Sequence, residues 1–175
     1  MFLRLFPHVP NFAPIGAMAL FGGVYLQKKY SIAIVFVTLL LSDYLLLYIH
    51  PFTSQFITFA RFYPPSALIH STTVYVYGSF LANIGIGMWL KRHQSIENIA
   101  LASISSSLLF FFITNFGVWA AGSYARDIQG LVESYIMGLP FLRGTVFGDL
   151  FYNGLFFSMY YIIATLFEQK KIAST

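Results

Sequence analysis

The sequence predicts an all-α fold: a polytopic integral membrane bundle of about six helices. Three observations predict it. Of 175 residues, 58% are hydrophobic and only 9% are charged, giving a mean hydropathy of +0.72. A soluble domain carries about a quarter charged residues, so this chain lacks the polar surface a solvated domain needs. Apolar runs close to spanning length recur along it, most of them closed by basic residues; about 20 residues at ~1.5 Å rise cross the hydrocarbon core. Tyr25, Tyr30, Tyr48 and Tyr63 fall at segment ends, where interfacial anchors belong. The length allows one transmembrane domain, residues 1–175, without a separate catalytic domain.

The first apolar segment, residues 12–26, follows the proline-rich entry FPHVPNFAP and stops at Gln27-Lys28-Lys29. It is short for a span, so it tilts little or packs inside the bundle. Asn11, just ahead of Pro14, is placed to cap it or to contact ligand, with the cap the favoured role. The second segment, residues 31–49, is long enough to cross and is interrupted by Asp43, about 4–5 Å from its midpoint. A carboxylate at that depth costs a few kcal/mol on insertion scales, which directs Asp43 to the bundle interior or a wet cavity. An aromatic loop over residues 50–71 follows, where Pro64-Pro65 excludes a continuous helix.

The third segment covers about residues 72–90 and stops at Lys91-Arg92-His93; the fourth covers residues 99–121. The last, residues 146–167, is closed by Glu168-Gln169-Lys170-Lys171. Between the last two lies GLVESYIMGLPFLR, residues 130–143, short and containing Glu133 and Pro140. It reads as a broken span, a re-entrant element or an interfacial helix, all tolerated where backbone is shielded from lipid. If it does not cross, Lys28, Lys29, Lys91, Arg92, Lys170 and Lys171 share one face, cytoplasmic by the positive-inside rule. Arg4, Arg61, Arg126 and Arg143 then lie opposite. Charge bias favours five full crossings, the expectation of a compact bundle favours six.

Several function classes are excluded or unsupported. The formal net charge of +4 comes from short basic clusters at loop ends, which suit orientation and lipid headgroups, not nucleic acid. There is no cysteine, hence no disulfide, thiolate nucleophile or cysteine metal site. The four histidines are unpaired at helical spacing, so no metal site is expected, and no cofactor motif or glycine-rich phosphate loop occurs. MFLRLF is too short for a cleavable signal peptide.

Polar residues inside the apolar segments are the candidate binding groups. Tyr75, Ser79 and Asn83 repeat at i, i+4, i+8 and form one stripe on the third segment. Asn115 and Trp119 share a face of the fourth, an amide and an indole suited to bonding and stacking a flat ligand. Trp119 also fits an interfacial anchor. Asp149 and Asn153 are again i, i+4 on the last segment, and His70 enters the third segment beside the long loop. Each has a structural alternative as interhelical glue; together they exceed what packing requires. On the first segment, Ala13 with Ala17 and Ala19 with Gly23 are four apart. Such faces allow close helix contact, either within the bundle or with another membrane protein.

At NFAPIGAMALFGG, LLLSDYLL, FFITNFGVW and FLRGTVFGDLFYNGLF the chain resembles a family of small bacterial membrane proteins. That family is uncharacterised and loosely grouped with the substrate-binding S components of energy-coupling-factor vitamin transporters. The resemblance implies a compact bundle of about six helices in the bacterial inner membrane, with a cavity towards the outer face. It implies that Ala13, Ala17, Ala19 and Gly23 dock onto a transmembrane coupling subunit driven by ATPases. It places Asp43, Asn115, Trp119, Asp149 and Asn153 in the cavity. Family members carry a hydrophobic helix ahead of the NFxP motif, where this sequence has MFLRLFPHVP. Solitary cobalamin transporters of this kind use a cysteine near the cobalt, which is not carried over here.

The expected function is therefore a non-enzymatic, substrate-binding membrane subunit for uptake of a small vitamin-like solute. Residues 50–71 are the candidate lid. The competing expectations are a structural or assembly protein without transport, and a lipid-acting enzyme built on Asp43 with Asp149.

Overall fold

The computed structural model describes residues 11–49, 64 and 68–173. The candidate lid over residues 50–71 lies mostly outside them. Five helices run through the described residues: α1 (Ile15–Tyr25), α2 (Lys28–Leu46), α3 (Thr73–Leu90), α4 (Ile96–Ala120) and α5 (Ile128–Ala173). Helices α2 to α5 are long and apolar enough to cross a membrane; α1, with 11 residues, is not. At ~1.5 Å per residue α1 covers about half of a hydrocarbon core.

The expected count of about six is corrected by α5. Residues 130–143 and 146–167 are not two elements but one helix of 46 residues that runs through Pro140. Gly144-Thr145 between them is no stop signal once neighbouring helices shield the backbone. Proline removes one donor and bends the helix; it need not end it inside a bundle.

Side-chain contacts fix the directions. Tyr25 at the end of α1 donates a hydrogen bond to Gln94 Oε1 (2.9 Å) in the α3–α4 connection. Its ring lies 3.9 Å from that of Tyr160 on α5. Lys28, Lys29, Lys91, Arg92, Lys170 and Lys171 therefore gather towards one end, the grouping expected if residues 130–143 make no crossing of their own. Arg126 lies in the connection at the opposite end, and Arg143 is exposed on the side of α5.

Helices α1 and α3 run parallel and touch backbone to backbone. A Cβ on Gly23 would lie 2.9 Å from Gly87 Cα, and one on Gly87 would lie 3.0 Å from Gly23 Cα. Around this crossing Leu20, Val24, Leu90, Ala102 and Phe157 form one buried cluster. Ile15, Ala19, Val35, Leu39, Phe80 and Ile84 form a second. Ala17, Ala19 and Gly23 are thus fully enclosed within the bundle. Internal packing, not a free docking face, is where the structure puts these small residues; Ala13 is half-buried.

Helix α4 starts at Ser95, whose Oγ accepts from the Asn98 N–H at 3.1 Å, an N-cap. It ends at Ala120, and Gly122 just beyond the C-cap Ala121, with φ +86°, turns the chain in the left-handed region. Helix α5 then returns antiparallel to α4. Ser134 Oγ donates to the Asn115 carbonyl (2.8 Å), and Asn153 Nδ2 donates to Ser103 Oγ (2.9 Å).

Candidate functional site

The first turn of α1 begins beside α4 and α5, and a helix N-terminus leaves orphan N–H groups that need partners. Its N-cap residue is Pro14, which offers no side-chain oxygen. Asn11 does not cap the helix as expected from the sequence; it occupies a turn with φ +61°. The cap comes from another helix. Asp149 on α5 accepts the backbone N–H of Ala17 and the hydroxyl of Ser107 on α4 at 2.7 Å. A carboxylate at a helix N-terminus is favoured by the dipole, and these contacts tie α1, α4 and α5 together at one group.

Gly16 makes this contact possible. A Cβ there would come within 2.9 Å of the Asp149 Cγ and 3.0 Å of Oδ2, so only glycine lets the carboxyl lie flat on α1. One turn on, Asn153 bonds Ser103, and Ser103 donates to the Ile99 carbonyl at 2.7 Å. The result is a buried polar ladder along the α4–α5 seam.

Two half-open cavities adjoin this cap. The smaller, about 100 Å³, is lined by Asn11, Gly16, Phe80, Asn83, Thr145 and Asp149, among others. The larger, about 200 Å³, is lined by Thr114, Asn115, Gly138 and Leu142, and shares Asn11, Phe110 and Thr145 with the first. Asn83 is 1% exposed, yet neither its amide nitrogen nor its oxygen has a hydrogen-bond partner. A buried carboxamide without partners costs on the order of 1–3 kcal/mol, which makes it a place that binding can improve.

Three of the sequence candidates, Asn83, Asn115 and Asp149, therefore line adjoining cavities. The others do not line them. Asp43 is half-buried and accepts from Tyr77 Oη at 3.1 Å, a bond between α2 and α3. Trp119 sits where α4 ends, and its Nε1 donates to the Ala125 carbonyl at 2.9 Å, closing the α4–α5 connection. Tyr75 packs its ring against Gly117, where α3 meets α4. His70 is exposed, with Nδ1 3.0 Å from Thr73 Oγ1 at the start of α3. Asn153 is buried in the seam below Asp149. A shared helical face in sequence gives direction only; what stands opposite that face is set by the neighbouring helix.

Sequence reasoning missed Thr145 and Gly16, and for Asn11 it favoured a cap over the ligand contact. Thr145 was findable, because it continues the Asp149–Asn153 stripe one turn earlier. Gly16 carries no local signal, since the group it accommodates is 133 positions away in sequence.

Comparison with known proteins finds a match to DUF6580, a family of unknown function, over residues 1–172, and the chain belongs to that family. No curated protein and no solved structure matches it.

Proposed function

We propose that this DUF6580 member is a non-enzymatic membrane protein that binds a small polar solute between its helices and moves it across the bilayer. The observation that carries the reading is Asn83: a fully buried carboxamide without partners, facing a cavity that also exposes Asp149. Groups left unsatisfied in a bilayer interior are the groups a polar ligand satisfies. The resemblance to S components supports uptake as the direction. The positive-inside rule supports a cytoplasmic membrane with the lysine-rich end inside.

The cavities of about 100 and 200 Å³ are below the ~300–1,000 Å³ usual for drug-sized ligands. The solute in this proposal is accordingly smaller than a multi-ring vitamin, or the site widens on binding. A coupling subunit with ATPases would dock on faces other than the enclosed side of α1. Native mass spectrometry of the detergent-purified protein, with uptake into cells expressing it, tests the proposal. Retention of a small molecule by wild type and its loss in Asn83→Leu is the expected result. No bound molecule and no uptake of any solute in a broad panel would refute it.

A second reading has its own observation. Tyr77–Asp43, Ser107–Asp149 and Asn153–Ser103 are all bonds between helices, as expected of a structural or assembly protein. On that reading Asn83→Leu raises stability and changes no flux. The enzymatic reading has less support: Asp43 does not line the cavities that Asp149 reaches.

A further inference from the structure

We propose that Asp149 and Asn83 hold a monovalent cation of the sodium class in the smaller cavity. Asp149 is 3% exposed; it accepts the Ala17 N–H, and Ser107 Oγ, whose one hydrogen is shared between Asp149 Oδ2 at 2.7 Å and the Ser103 carbonyl at 3.1 Å, lies against it. That arrangement suits a carboxylate, which offers about four lone-pair positions and has two of them engaged here. Among the described residues no Lys, Arg or His lines either cavity, so the carboxylate meets no basic side chain there. Buried charges are paired or coordinate metals, and the free lone pairs of Asp149 face a cavity rather than a base.

The other groups on that cavity are oxygen donors. Asn83 presents an amide oxygen with no partner, 1% exposed. Thr145 commits its hydroxyl hydrogen to the Phe141 carbonyl at 3.0 Å, which leaves its oxygen lone pairs available. Asn11 contributes an amide at the mouth. Hard oxygen donors, a carboxylate among them, are the ligands that hard cations take.

Charge balance selects a monovalent ion. Among the described residues no group of three or more His, Cys, Asp or Glu side chains is placed to hold a metal. One carboxylate neutralises one unit charge, whereas a divalent ion would leave a net positive charge inside the bilayer, at high desolvation cost. A cavity of about 100 Å³ takes such an ion with one or two waters of ~30 Å³ each.

The inference stands apart from the transport reading, because it is read on purified protein with no solute present. Thermal unfolding in detergent is measured in NaCl, LiCl, KCl and choline chloride at fixed pH and ionic strength, alongside ²³Na NMR of bound sodium. Sodium at ten times its dissociation constant is expected to raise the wild-type midpoint by about 3–5 °C over choline. The shift is expected to disappear in Asp149→Asn and to fall in Asn83→Leu and Thr145→Val. Equal midpoints in sodium and choline, with no bound sodium in wild type, would overturn the site, as would a stabilisation that follows pH alone and identifies a proton. Should Asp149→Asn fail to fold, Thr145→Val and the wild-type NMR decide. A sodium shift undiminished in both Asn83→Leu and Thr145→Val would also overturn it.

Discussion

Replacing Gly16 by alanine tests the central contact of the bundle, because two physical effects oppose each other there. In a helix interior, Gly→Ala stabilises by about 0.5–1 kcal/mol through backbone entropy. At Gly16 the added Cβ meets Asp149, with Cγ at 2.9 Å and Oδ2 at 3.0 Å, and the carboxyl must move off α1. Overpacking costs about 1–3 kcal/mol, and a hydrogen bond to a charged group is worth about 1.5–3 kcal/mol. Displacing Asp149 from the Ala17 N–H therefore outweighs the propensity gain, for a net loss of about 1.5–5.5 kcal/mol. Gly78→Ala is the control, since a Cβ there meets nothing within 4 Å; it should gain about 0.5–1 kcal/mol. The assay is reversible unfolding in mixed micelles, followed by the fluorescence of Trp89 and Trp119. Asp149→Ala in the Gly16→Ala background should cost less than Asp149→Ala alone, by 1 kcal/mol or more for groups in direct contact. If Gly16→Ala is as stable as Gly78→Ala, or if the two mutations add, then Asp149 does not cap α1 and the site as described is wrong.

Other outcomes follow from the same geometry. Tyr77→Phe should cost about 1 kcal/mol through loss of the bond to Asp43, and leave any sodium-dependent stability unchanged; a loss of that dependence would put Asp43 in the site after all. Ser95→Ala removes the N-cap of α4 and should lower stability by about 1 kcal/mol, restored by Ser95→Asp. Gly87→Leu forces α1 and α3 apart at their backbone contact and should prevent a folded bundle, judged by gel filtration in detergent. Single cysteines at Lys91, Lys170 and Ser123, introduced into a chain with no native cysteine, should label from one side of the membrane for the first two and from the other for Ser123. Lys91 and Lys170 labelling from opposite sides would mean that residues 130–143 cross separately.

What was legible early depended on the range of the cause. Asp149, Asn153, Asn83 and Asn115 stand out in the sequence because polar residues at helical spacing in an apolar segment are conspicuous; of the four, Asn153 lies off the cavities, in the α4–α5 seam. Asp43 looked strongest in sequence, being nearest the centre of its span, yet Tyr77 satisfies it from α3. Trp119 and Asn115 share a face, but the chain turns directly after Trp119, and its indole bonds that turn. Residues 130–143 looked separable because Pro140 and Glu133 read as interruptions; inside the bundle they interrupt nothing.

By itself the sequence determined the helical, apolar character of the chain. With 58% hydrophobic and 9% charged residues it lacks the polar surface of a solvated domain, and its apolar runs near spanning length read as helices that satisfy their own backbone. Only the tertiary structure decided which polar groups meet. Hydropathy and helical period act over some twenty residues, whereas the pairing of Gly16 with Asp149, and the orphaned Asn83 beside them, depends on how three helices cross.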